Sequence, residues 1–353
     1  MALIHSIAVL TLMLLFLLAV TGVGTSVLQT LRLSIDTKMQ HALVSAALGV
    51  LTVEVVFSGI EYTQQIRKGA LVMAAFLLVF VVRGFKVMRT VLARGWQELA
   101  NSRSKMLIVT AIAVVLTFEF LACQAPLTGS DALHYHFTTE KLVLQNGFGP
   151  QFSIVLSFFC GQHHLLILFG LALAGEQSAM AFIFLGGALA ACSLSALAAL
   201  WCPLRTALWF TLLFLLTPVV FWQISSAGAP DVWMAFFATA AVIVLCPKKA
   251  TGLLQTAFVA GLLSGGIAGG KYTGFVLALA IAAAVALEYQ SVGKTLLFGT
   301  GALATGMWPY LRNFLWTGDP VFPFLSRLLK PGQSICLRWM RFALMPECRI
   351  RGT

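Results

Sequence analysis

Charge is scarce in this chain. Only 10% of its 353 residues are Asp, Glu, Lys or Arg, while 59% are hydrophobic. A soluble domain carries about 25% charge. A mean hydropathy of +0.93 therefore excludes a water-soluble fold and predicts an all-α, polytopic membrane bundle. Acids are the rarest charged residues, 12 against 23 Lys and Arg, for a net charge of +11. The seven cysteines form no C-x-x-C pair, which argues against a zinc or redox motif. Cys123 and Cys160 bracket one polar loop, where a disulfide requires an oxidising compartment. There is no internal repeat and no low-complexity tract.

What the chain has instead is long apolar runs. Stretches near 5–28, 41–60, 69–85, 106–124, 178–200, 206–223, 231–247, 253–270, 272–289 and 295–311 predict about ten transmembrane helices. The first has no basic n-region and is longer than the 7–15 residues of a signal-peptide core, so it reads as an anchor. The stretch 152–174 is interrupted by Cys160-Gly161-Gln162-His163-His164 and reads as interfacial or re-entrant.

That choice sorts the charges. The loops 29–40, 83–105, 201–206, 247–252 and 288–294 hold twelve bases and three acids. The opposite loops hold five bases and six acids, and the tail 327–353 nets +5. The basic side is then cytoplasmic. The surplus is a topology signal, so nucleic acid is excluded as a partner and the lipid bilayer is expected. The parts are a three-helix unit at 1–85, a basic amphipathic linker at 86–105, a core at 106–326 and a basic tail at 327–353.

Most of the polar residues of interest fall on the outer side. The large loop 125–177 packs Asp131, His134, Tyr135, His136, Glu140 and Lys141 into eleven positions. In a helix Asp131 and Tyr135 share a face. A carboxylate beside imidazoles suits a general base or a metal ligand, so a divalent cation is a candidate cofactor. A solvated interfacial helix is the plain alternative. Asp231 follows Pro230 at the start of a span, where the helix dipole alone favours an acid. Lys271 lies at the outer boundary between two apolar helices, as a functional cation or a snorkelling one. Arg312 and Asn313 end the last span among aromatics that suit an interfacial belt. Cations at that depth suit a lipid phosphate, and a carboxylate suits an acceptor hydroxyl or amine. Together they describe a transferase using a lipid-linked phosphate donor.

At these residues the chain resembles the GT-C superfamily of membrane glycosyltransferases, near the protein O-mannosyltransferases and the lipid A aminoarabinose transferase. Asp131 and Tyr135 match the ends of that family's D-E-x-x-Y pattern, and Asn146-Gly147 resembles the turn after it. Asp231 matches a second family Asp, and Gly270-Lys271 its g-K boundary. Arg312 to Phe324 resembles an R-N-y-x-x-t-G-N-P-v-y-P-f stretch, with Asp319 where relatives often have Asn. Ala132 replaces the second acid, and the prolines of a K-P-P-L segment are absent from 162–181. The likeness covers roughly 106–326.

The resemblance implies a sugar transferred from a polyprenyl-phosphate donor at the periplasmic face of a bacterial inner membrane. Asp131 is the expected base, and Lys271 and Arg312 the expected donor-phosphate ligands. His134, Tyr135, His136 and Asp231 are expected to position the acceptor or a metal. The alternatives are a transporter or flippase for a lipid-linked or anionic solute, and an inactive remnant. The last is suggested by the tail SICLRWMRFALMPECRIRGT, which looks truncated or frame-shifted.

Overall fold

The computed structural model describes residues 2–150, 155–159, 161–246 and 253–326. Among them the chain is helical throughout, with no strand. In order the helices are α1 (Ala2–Thr30), α2 (Lys38–Glu61), α3 (Ile66–Ala100), α4 (Arg103–Cys123), α5 (Phe137–Asn146), α6 (His164–Ala174) and α7 (Glu176–Ala198). There follow α8 (Leu204–Leu215), α9 (Pro218–Trp222), α10 (Asp231–Leu245), α11 (Leu253–Gly270), α12 (Tyr272–Tyr289), α13 (Val292–Gly306) and α14 (Trp308–Thr317). Cys160, Lys248, Lys249 and the tail 327–353 lie outside the described residues. The Cys123–Cys160 bridge that an oxidising compartment would allow therefore does too; Cys123 itself is a free, buried thiol.

A helix lies over each of the ten predicted apolar stretches. Six of them, α1, α2, α3, α4, α7 and α12, are long and apolar enough to cross a membrane. The predicted span at 206–223 is a pair, α8 and the segment Pro218–Ala227, bent by 60° between them. Pro218 accounts for the break, because it donates no backbone hydrogen bond. Helices α10 and α11 are shorter apolar helices. Helix α6 has 11 residues, about 16 Å at the α-helical rise, roughly half the hydrocarbon thickness. Exposed Leu71, Val72 and Val79 on α3 and Val276 on α12 turn apolar surface outward, as helices facing lipid do.

The expected linker at 86–105 is not a separate element. Helix α3 runs unbroken for 35 residues, so the last apolar span of the N-terminal unit continues directly into the basic segment. Arg83 pins its middle to the end of α1, donating to Ser26 Oγ at 2.9 Å and to Gln29.

The N-terminal helices share one core with the rest. Phe16 of α1 packs 4.6 Å from Phe182 of α7, and Phe57 of α2 lies 5.3 Å from Phe169 of α6. Helices α10 and α11 complete this core through Trp233, Phe236, Phe237 and Leu263, all fully buried.

The glycines of α11 divide between two neighbours. Gly261 and Gly265 press on the backbone of Phe298 and Ala302 in α13, a spacing that allows main chains to touch. Gly269 and Gly270 instead leave room for Gln162 and His163 just before α6. Gln162 N donates to Gly269 O at 2.9 Å. The approach of α6 therefore sets where α11 ends and Lys271 begins.

Candidate functional site

The segments carrying Asp131 and Asp231 are a hundred residues apart in sequence and meet through small residues. Thr128 Oγ1 and Ser226 Oγ share a hydrogen bond of 2.9 Å. A Cβ at Gly129 would lie 2.7 Å from the Ser226 carbonyl oxygen, so only glycine allows this approach. Gly228, at φ +57°, adopts the left-handed conformation and tucks against Phe137. Both segments then widen into single π-helical turns, Ala132–His136 and Gln223–Ala227. Such turns accompany functional sites more often than chance.

The charges gather around these turns. Lys271, extended at φ −153° between α11 and α12, sets its Nζ 2.7 Å from both carboxylate oxygens of Asp231. The pair is partly exposed. The Tyr135 phenol is pushed up to about 12 by burial and by the negative charges of Asp131 and Asp231. His136 is driven well below the usual imidazole range by burial, by His164 and by the Lys271 ammonium. The Tyr135 and His136 rings lie against each other, tilted, with centroids 3.9 Å apart. Asp131, Asp231 and Lys271 therefore all act on one Tyr–His pair.

Asp131 itself is exposed, with the Ser130 hydroxyl 3.5 Å from its Oδ1. His134 is also exposed, and its Nδ1 bonds to the Ser130 carbonyl at 2.7 Å within its own turn. Lys141, from the same cluster of polar residues, pairs with Glu176 at 2.6 Å.

Arg312 does something other than expected. Its guanidinium is buried and donates to the carbonyls of Ser157 and Phe159 at 3.2 and 3.1 Å. It lies over the Trp308 and Trp316 rings at 5.1 and 5.3 Å. Asn313 Nδ2 bonds to the Phe158 carbonyl and to Tyr272 Oη. The R-N pair thus fastens the 155–159 turn to α14. Asp319 is buried and caps its own loop, accepting from Val321 N, Leu325 N and Ser326 Oγ.

Two buried polar chains were not foreseen. In the first, Glu54 on α2 accepts from Gln162 Nε2 at 3.2 Å and meets His163 Nδ1 at 2.8 Å. All three residues are buried, and His163 stacks on Phe237. In the second, His136 Nδ1 meets His164 Nε2 at 2.7 Å, and His164 Nδ1 lies 3.5 Å from Glu140 Oε1. The available signal was Glu54 itself: a mid-span carboxylate demands a partner, and the Gln162-His163-His164 run was the polar break within an otherwise apolar stretch.

The side chains do not fit a divalent cation. Among the described residues no three His, Cys, Asp or Glu side chains are arranged to hold a metal ion. Three of the four residues expected to position a metal have another partner: His134 the Ser130 carbonyl, His136 the His164 ring, and Asp231 the Lys271 ammonium.

His136 has a consequence for stability. Its folded-state value is depressed from 6.5, so below that pH the unfolded chain binds the extra proton and the folded chain resists it. The contribution is intact above about pH 6.5 and is lost as pH falls, by up to about 1.4 kcal/mol per unit. Thermal unfolding in detergent at pH 7.5 and 5.0 should show acid destabilisation that is smaller in His136→Gln. An equal loss in that variant would assign the effect to other groups.

No curated protein and no solved structure matches the chain. One family model does, spanning residues 7–332 and so nearly the whole bundle and every residue of the candidate site. The chain belongs to that family, the domain of unknown function DUF8201.

Proposed function

We propose that this protein is a polytopic membrane glycosyltransferase. It takes a sugar from a polyprenyl-phosphate donor at the outer face of a bacterial inner membrane, with about ten spans and the 125–177 loop outside. The observation that carries this reading is the Lys271–Asp231 ion pair beside Tyr135 and His136, with the exposed Asp131 acting on the same tyrosine. It supplies one partly exposed cation and one free carboxylate in the same cluster. That is the minimum for binding a lipid phosphate and receiving an acceptor proton.

In the reaction, the acceptor oxygen or nitrogen bonds to the anomeric carbon as Asp131 takes its proton. The bond from that carbon to the phosphate oxygen breaks, and its electron pair leaves with the phosphate. The transition state is oxocarbenium-like. Lys271, released from Asp231 by the competing phosphate, stabilises the departing charge. Tyr135, His136 and Asp231 orient the acceptor, His134 sits at the mouth, and Arg312 supports the site through the 155–159 turn.

The transport alternative would need a polar route through the midplane. Glu54, the strongest mid-span charge, is instead saturated by His163 and Gln162, which supports the transferase. The test is a transfer assay in nanodiscs with polyprenyl-phosphate-linked glucose, mannose and aminoarabinose. Sugar release from the lipid is expected. Lys271→Met should raise the apparent KM for the donor about 10- to 100-fold, the worth of one charge-assisted hydrogen bond. Movement of the intact lipid across proteoliposomes without bond cleavage would sink the transferase and establish the transporter.

A further inference from the structure

The Glu140–His164–His136 chain has a direction, set by protons. His164 Nδ1 faces the Glu140 carboxyl at 3.5 Å, and a carboxylate oxygen accepts, so this contact favours the tautomer with its proton on Nδ1. A neutral imidazole with its proton on Nδ1 has a bare Nε2. That Nε2 lies 2.7 Å from His136 Nδ1, which must therefore be the donor. The relay leaves His136 with a bare Nε2. Burial and the nearby Lys271 charge oppose a second proton on this ring.

That terminal Nε2 is buried and has no hydrogen-bond partner. A buried acceptor without a partner is costly, and this one belongs to a ring that lies against Tyr135 and feels the Lys271 charge. The cost is understandable if the partner is a ligand. Its neighbours Glu140 and His164 are themselves largely buried, so the tautomer is shielded from exchange with bulk water.

We propose that His136 touches substrate: its bare Nε2 accepts a hydrogen bond from a hydroxyl of the bound sugar or acceptor, with His164 and Glu140 as the positioning residues that fix its tautomer. This deepens the glycosyl-transfer reading and rests on it. It assigns the site a preference for an O–H donor at this point over a group that can only accept. The hydroxyl can come from the donor sugar or from the acceptor.

Protein labelled with ¹⁵N-histidine in nanodiscs tests this by NMR, with His136→Gln identifying the ring's two nitrogen signals. The expected ground state is protonated at Nδ1 and bare at Nε2. His164→Phe should convert His136 to a mixture of tautomers, and Glu140→Gln should do so more weakly. Undecaprenyl-phosphate-glucose, undecaprenyl phosphate alone and octyl glucoside are then added separately. A hydrogen-bonding shift of His136 Nε2 with the sugar-bearing lipid alone assigns the hydroxyl to the donor; a shift with octyl glucoside assigns it to the acceptor.

A proton found on Nε2 overturns the proposal. So does an Nε2 signal that no hydroxyl-bearing probe moves, which would mean that a buried water or a packing void faces it. The same shift with undecaprenyl phosphate alone also overturns it, while supporting phosphate binding beside Lys271. Absence of Lys271-dependent binding of undecaprenyl phosphate, with the His136 tautomer and glucoside response intact, would instead count against glycosyl transfer and leave hydroxyl recognition standing.

Discussion

Asp131→Asn should lower sugar transfer by about 10²- to 10⁴-fold, the usual contribution of a general base, while leaving membrane insertion unchanged. The substitution is nearly isosteric. Asp131 is exposed at the head of the 132–136 turn, where its neighbour is the Ser130 hydroxyl, and Asn can meet that hydroxyl equally well. Little packing energy rests on the carboxylate, so the two effects separate: a surface residue of this kind changes stability by no more than about 0.5 kcal/mol. Donor binding should persist, because Lys271 is untouched, and the loss should appear in kcat. Asp131→Glu should retain part of the activity. Transfer by Asp131→Asn at near the wild-type rate would remove this residue from the mechanism, and His136 or Asp231 would have to take the proton instead.

Arg312→Met should have the opposite signature, a loss of stability of about 3–5 kcal/mol with activity lost through unfolding. The guanidinium donates to two main-chain carbonyls and lies between two indole rings. Hydrogen bonds from a charged donor are worth about 1.5–3 kcal/mol each, and a desolvated cation–π contact adds up to about 2 kcal/mol; part of this sum is recovered by relaxation and by the packing of Met. Arg312→Lys should rescue only part of this, since a lysine ammonium can donate to the carbonyls but lacks the planar face that lies over the two rings. Thermal unfolding of the three forms in detergent checks this. If Arg312 were instead a phosphate ligand, Arg312→Lys would keep both fold and partial donor binding, and only KM would move.

These two residues show how far the sequence could be read. Asp131 and Tyr135 were legible because a helical spacing places them together whatever surrounds them, and a π turn changes that relation little. Lys271 was conspicuous because a cation is unexpected at that boundary. Its partner was not, since Asp231 is forty residues away and only the packing of α10 on α11 brings it near. Arg312 was noticed for its depth and expected to hold phosphate, and in the structure its guanidinium meets main-chain carbonyls. A buried guanidinium satisfies phosphate and carbonyl oxygens equally well, and the sequence does not reveal that the 155–159 turn arrives to supply them. His134 and His136 were given one role, yet residues two apart face opposite ways on a helical turn, and His134 is exposed while His136 is buried.

The sequence by itself determined the solvent and the class of fold. With charge this scarce and apolar runs this long, backbone groups must be satisfied within helices, and hydropathy alone placed the apolar stretches over which helices lie, six of them long enough to cross a membrane. Which of those helices are long, bent or short was decided by local breaks such as Pro218 and Gly175. The pairing of polar groups came from packing instead: Glu54 with His163, Asp231 with Lys271, Glu140 through His164 to His136, Arg312 with main-chain carbonyls. Hydropathy is a property of one segment and can be summed along a chain. A buried hydrogen bond is a property of two segments, and its partner is set by how helices distant in sequence pack.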